Sequence, residues 1–140
     1  MTNASNFWGP TVKYLQFLVV ELEDLPPQDS GPLVKRVCQI FDSHGAEVST
    51  VSSFLVIGYF GLFWSTGSTE ARLNLVSDLL AQVGSHIRIA HGQCDAVTGI
   101  MGRRRFSYNV VIPGFQEIRE RLSQINFGTA FEVPELASKS

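Results

Sequence analysis

The chain has 140 residues, 44% of them hydrophobic and 17% charged, with a formal net charge of -2. A chain of this size and composition buries one real core and has no room for a large disordered region, so one domain over 1–140 is expected, with 1–12 and 134–140 loose. The near-neutral balance supplies no global field toward nucleic acid or an anionic membrane, so any partner is recognised locally.

Tyr14 to Leu22, "YLQFLVVEL", is rich in β-branched and aromatic residues and runs into Pro26-Pro27, which predicts a central strand. In "SGPLVKRVCQIFDSHG" the residues Leu33, Val34, Val37, Cys38, Ile40 and Phe41 share one helix face, with Pro32 in the first turn and Gly45 as a left-handed stop. Two strands follow, Glu47 to Ser52 and Phe54 to Phe60, joined by a tight connection. "STEARLNLVSDLLAQVG" predicts a second helix, capped by Ser68 and ended by Gly84, with Leu73, Val76, Leu79, Leu80 and Val83 inward.

"SHIRIAHG" is the next strand, and the order β-α-β-β-α-β predicts an α+β, ferredoxin-like core. "AVTGIMGRRRFSYNVVIPG" adds a hairpin. "FQEIRERLSQI" adds a C-terminal helix with Phe115, Ile118, Leu122 and Ile125 inward, and "TAFEVPE" adds a short last strand.

Standard catalytic signatures are absent. His44, His86 and His91 lie on different elements without metal-ligand spacing, and no nucleophile elbow or phosphate-cradling loop is visible. Cys38 and Cys94 make neither a disulfide framework nor a cysteine metal site, and "MTNASNFWGP" has no secretory pattern, so a reducing, cytoplasmic setting is expected. No apolar run reaches the roughly 20 residues of a membrane span. Arg103-Arg104-Arg105 is the one dense basic patch. Without interleaved aromatics it reads as a solvated hairpin turn, so no nucleic-acid partner is expected. "FGLFW", Phe60 to Trp64, divides between core and an exposed interface patch, and the sequence leaves that division open.

The stretch "HGAEVSTVSSFLVIGYFG" resembles the class III adenylate and guanylate cyclase homology domain, in which a helix ends in His-Gly-Gly, a strand leads to Lys-Phe-Ile-Gly-Asp-Gly and a second strand ends in Phe-Gly. His44-Gly45-Ala46 holds the first place, "STVSSFLV" the middle and Phe60-Gly61 the end. "RRRFSYNVVI" is similar to the family's Arg-x-Asp-Tyr-x-Val-Ile, with Tyr108, Val110 and Val111 on matching positions, and the likeness covers roughly Leu15 to Leu122. It implies the cyclase fold and a head-to-tail dimer whose sites are shared between two chains.

The departures from that pattern are specific. The family holds two metal ions on a pair of aspartates; here the first position carries Glu21, or Glu23 if the strand shifts by two, and the second carries Phe54. The base-reading lysine falls on Thr50 and the second purine-reading acid on Ser107. With one residue inserted in "VIPGFQ", the helix asparagine falls on Glu117 and the transition-state arginine on Arg121, the single functional position retained. Between Glu21 and His44 there is length for one helix, where the family has two and a phosphate loop.

The expectation is a shortened, degenerate cyclase-like domain that is not an enzyme and needs neither metal nor cofactor. It would work as a dimerising or regulatory signalling module, as a homodimer or with a partner protein. Interface candidates are Phe60, Leu62, Phe63, Trp64, Arg103, Arg104, Phe106 and Tyr108. The alternative is a metal-independent sensor of a nucleotide or small ligand through Arg105 and Arg121; a third reading is an active cyclase with altered metal ligation through Glu21 and Glu23.

Overall fold

The computed structural model describes residues 11–61, 68–101 and 107–134, with side chains described for 14–61, 68–96 and 112–134. The chain runs β1 (Thr11–Leu22), α1 (Pro27–Ser43), β2 (Glu47–Val51), β3 (Leu55–Phe60), α2 (Thr69–Val83), a 3-10 turn, β4 (Ile87–Met101), β5 (Ser107–Val111), α3 (Phe115–Leu122) and β6 (Ala130–Glu132). One sheet has the order β2-β3-β1-β4-β5, with β6 paired in parallel to β4 and the other pairs antiparallel. This is the predicted α+β arrangement, a β-α-β-β-α-β core with an added hairpin strand and C-terminal helix.

Successive residues of a strand face opposite sides of its sheet, and β1 is buried on both. Leu18, Val20 and Leu22 join Val37, Ile40 and Phe41 of α1 and Leu75, Val76 and Leu79 of α2 in one core cluster. Leu15, Phe17 and Val19 join Ile118 and Leu122 of α3 in the other. The run "FLVV" is therefore apolar without alternation because neither face meets water.

Local chemistry sets several boundaries. α1 starts at Pro27, earlier than its apolar spacing predicts, because a proline at the first helical position lacks only an N–H that would be unbonded anyway. Pro32 consequently lies inside the helix rather than in its first turn. Gly45, at φ +78°, makes the left-handed exit, and the Ser68 hydroxyl caps α2 by accepting from the Ala71 N–H at 3.0 Å.

The buried stripe of α2 is shifted from the predicted one: Leu73 is 45% exposed, and Arg72, Leu75, Val76 and Leu79 face the sheet. Arg72 is drawn inward by Glu132, to whose Oε2 its Nη2 donates at 2.7 Å. β4 is one 15-residue strand, where the sequence suggests a strand ending near Gly92 and a separate hairpin from Ala96. Gly92 allows the passage, since a Cβ there would stand 3.1 Å from the Val133 carbonyl and 3.3 Å from the Phe17 ring.

Next to Arg72 lies a buried polar group. His91 is 7% exposed, sits opposite Glu132 in register, and its Nδ1 makes no hydrogen bond, nor do Nε and Nη1 of Arg72. Burial first, and then the Arg72 guanidinium, lower the His91 pKa from 6.5 to about 4, against the opposing pull of Glu132. Between those two values the unfolded chain binds more protons than the folded one, so stability falls as the pH drops, by at most about 1.4 kcal/mol per pH unit. Urea unfolding from neutral pH to about pH 5 should show this loss in the parent and a flatter profile in His91→Gln; parallel profiles would assign the acid sensitivity elsewhere.

Gly58 of β3 is the second close approach. A Cβ there would meet the Phe41 ring at 2.5 Å, so the ring of α1 lies flat on bare backbone. Gly58→Ala should cost about 1–3 kcal/mol through overpacking, measured as a lowered denaturation midpoint; an unchanged midpoint would mean that Phe41 finds another rotamer freely.

Candidate functional site

The residues that the family pattern pairs are neighbours in space. Glu21 is the second-last residue of β1 and lies in register with Leu55 of β3 and Arg88 of β4. The Leu22 N–H donates to the Phe54 carbonyl at 2.9 Å, which ties the turn between β2 and β3 to the end of β1. The fold thus brings the backbones of these two positions to the same end of the sheet, but Glu21 turns toward Arg88 and Arg119 while Phe54 turns toward the start of α1.

The chemistry at those positions is not that of a cation site. The Glu21 carboxylate is buried and both its oxygens are engaged: Nε and Nη2 of Arg88 approach Oε1 at 2.9 Å, and Arg119 Nε donates to Oε2 at 2.9 Å. Arg88 also donates from Nη1 to the Ile125 carbonyl at 3.0 Å and lies 4.4 Å from the centre of the Phe127 ring. Glu23, the alternative first position, is half-buried and bonded to His86 Nδ1 at 2.8 Å.

Phe54 is 54% exposed and lines an open hollow of about 650 Å³ with Asp24, Leu25, Pro27, Ser30 and Ser53. A phenyl ring offers a divalent cation no lone pair, and both Glu21 oxygens are taken, so these residues do not fit the two-metal centre of the family pattern. Among the described residues, no three His, Cys, Asp or Glu side chains converge as a metal group elsewhere.

Glu117 and Arg121 stand one helical turn apart on α3 and line a separate hollow of about 120 Å³ with Gly114, Ile118, Phe131 and Val133. Arg121 stacks over the Phe131 ring at 4.2 Å, a cation–π contact that orients the guanidinium. Thr50 is exposed on β2 beyond a register shift. Ser107 opens β5 opposite Met101, and Tyr108 lies opposite Ile100.

Of the interface candidates, Phe60 is 1% exposed and belongs to the core cluster against α1 and α2, because β3 is covered on both faces. Leu62, Phe63, Trp64, Arg103, Arg104, Arg105 and Phe106 lie outside the described residues. The sequence reading missed Arg88 and Arg119. Their signal was the alternation Ile87-Arg88-Ile89, which turns Arg88 to the Glu21 face, but the pairing register that joins them is tertiary.

No protein-family model and no curated protein matches this chain. Solved structures do. The guanylate cyclase domain of RhGC from Catenaria anguillulae, described in complex with GTP, superimposes with a TM-score of 0.72 at 11% identity, over 87% of this chain and 79% of that one. The adenylyl cyclase CyaB from P. aeruginosa gives 0.66 at 13% identity, over 90% and 79%. A dimeric guanylyl cyclase domain of the RhoGC fusion protein from Blastocladiella emersonii gives 0.69 at 12% identity, over 88% and 81%, and another structure of that domain is described as monomeric.

These likenesses overturn one expectation. The backbone is the one on which guanylyl and adenylyl cyclases are built, so the inference from altered ligand positions to a chain that is not an enzyme does not stand. Among the described residues no helix is long and apolar enough to cross a membrane. The sheet order, the helix placement and the adjacency of Glu21 and Phe54 give this chain the fold of the class III adenylyl and guanylyl cyclase catalytic domains.

Proposed function

We propose that the chain acts by pairing: a cyclase-fold domain that associates with a second cyclase-fold domain, its own copy or a homologous chain, in a regulatory assembly. The observation that carries this reading is the exposed Phe54, 54% accessible at the turn where the family pattern has a charged ligand. Val51 and Val48 extend the same apolar edge, on a strand with one neighbour in the sheet. An exposed aromatic flanked by apolar groups gains most when a partner covers it. The Blastocladiella emersonii domain, described as a non-canonical dimer in one structure and as a monomer in another, supports pairing as an association open to this fold.

Sedimentation velocity at micromolar concentration should show a dimer, or a complex with a co-purifying partner. Phe54→Asp should weaken that association at least about tenfold, the equivalent of about 1.4 kcal/mol. A strict monomer that captures no partner, or an association indifferent to Phe54→Asp, would count against the reading.

A second reading, a metal-independent sensor of a small ligand, is favoured by the hollow in which Arg121 and Glu117 converge. Its volume of about 120 Å³ is below the roughly 300 Å³ at which ligand pockets begin, so it suits a small group or one end of a larger molecule. Calorimetry with ATP, GTP and the two cyclic nucleotides discriminates: heat lost in Arg121→Ala supports a sensor, and four flat titrations remove it.

A further inference from the structure

We infer that Arg88 and Arg119 take over the role of divalent cations at the end of β1, so that this end of the sheet is neutralised by the chain's own guanidinium groups. A carboxylate pair held apart by a metal needs that metal to offset its repulsion. Here the charges within reach of Glu21 cancel internally: Glu21 and Glu23 are negative, Arg88 and Arg119 positive, and His86 is bonded to Glu23. Glu21 itself is thus matched by two guanidinium groups.

The geometry adds a steric reason. Three of the four lone-pair directions of the Glu21 carboxylate face arginine nitrogens at 2.9 Å, and the side chain is 11% exposed. A cation could reach the carboxylate without displacing an arginine only at the one position left on Oε2, where the Arg119 guanidinium already stands beside it. Arg88 is held by further contacts to the Ser123 and Ile125 carbonyls and to the Phe127 ring, so its displacement would also cost those bonds to the segment after α3. Arg119 meanwhile does mechanically what a metal bridge would do, joining α3 to β1 across the sheet face. The neighbouring Phe54 presents only a carbonyl, already bonded to the Leu22 N–H.

This inference is independent of pairing, and two measurements on the full chain test it. Amide resonances of isotope-labelled protein are followed while substoichiometric manganese chloride is added. The expected result is no selective broadening of Leu22, Leu55 or Arg88; selective broadening of those amides would overturn the assignment, and broadening confined to another region would leave Glu21 with its arginines and support it. In the second, Arg119→Met keeps the apolar stem and removes the charge. It should lower the melting temperature by about 5 °C in the presence of chelator, whereas the parent should melt at the same temperature in chelator and in magnesium. A parent stabilised by magnesium, or an Arg119→Met chain as stable as the parent, would overturn it.

Discussion

The carboxylate of Glu21 sits at the end of a strand that is covered on both faces, and an isolated charge in such a place is expensive. Everything near that end of the sheet follows from the need to satisfy it. Arg88 approaches from the neighbouring strand and Arg119 from the covering helix, and each brings structure with it. α3 has only eight residues, too few to persist alone in water, so its place depends on Ile118 and Leu122 in the core and on Arg119 at Glu21. Arg88 then gathers the chain beyond α3 through the Ile125 carbonyl and the Phe127 ring.

The same constraint explains how a fold can keep the position of a site while its chemistry changes. The adjacency of Glu21 and Phe54 is made by backbone pairing alone, the β1–β3 ladder and the bond from Leu22 to the Phe54 carbonyl. Side chains at those positions can change without disturbing the ladder, which is why function must be argued from the site and not from the fold. This end of the sheet presents an exposed phenyl ring and a carboxylate bonded by two arginines. The hollow at Arg121 and Glu117 is a separate feature, lined by α3 and the last strand, with a guanidinium held in place by Phe131.

Much of the architecture was legible from spacing. Helix faces, the Ser68 cap, the Gly45 exit and the two short strands around Ser52-Ser53 are decided by contacts a few residues apart, which a linear pattern records. Errors arose where a distant residue overrode a local rule. Leu73 faces out because Arg72 finds Glu132 sixty residues away. β4 runs past Gly92 because the Phe17 ring needs the missing Cβ. Phe60 is core because β3 is covered on both faces, and an aromatic cluster in the sequence carries no mark of what covers it.

The sequence by itself determined the order of elements, the apolar face of α1 and the residue type at Phe54, since each is a property of residue type and short-range period. Only the tertiary structure decided what Glu21 became. Its partners, Arg88 and Arg119, are 67 and 98 residues away, and they reach it through strand register and through the angle at which α3 crosses the sheet. A carboxylate at the end of a strand reads the same in one dimension whether it meets a metal ion or two arginines; which of these it meets is a matter of distance in the folded chain, and charge interactions depend on that distance and on burial from water.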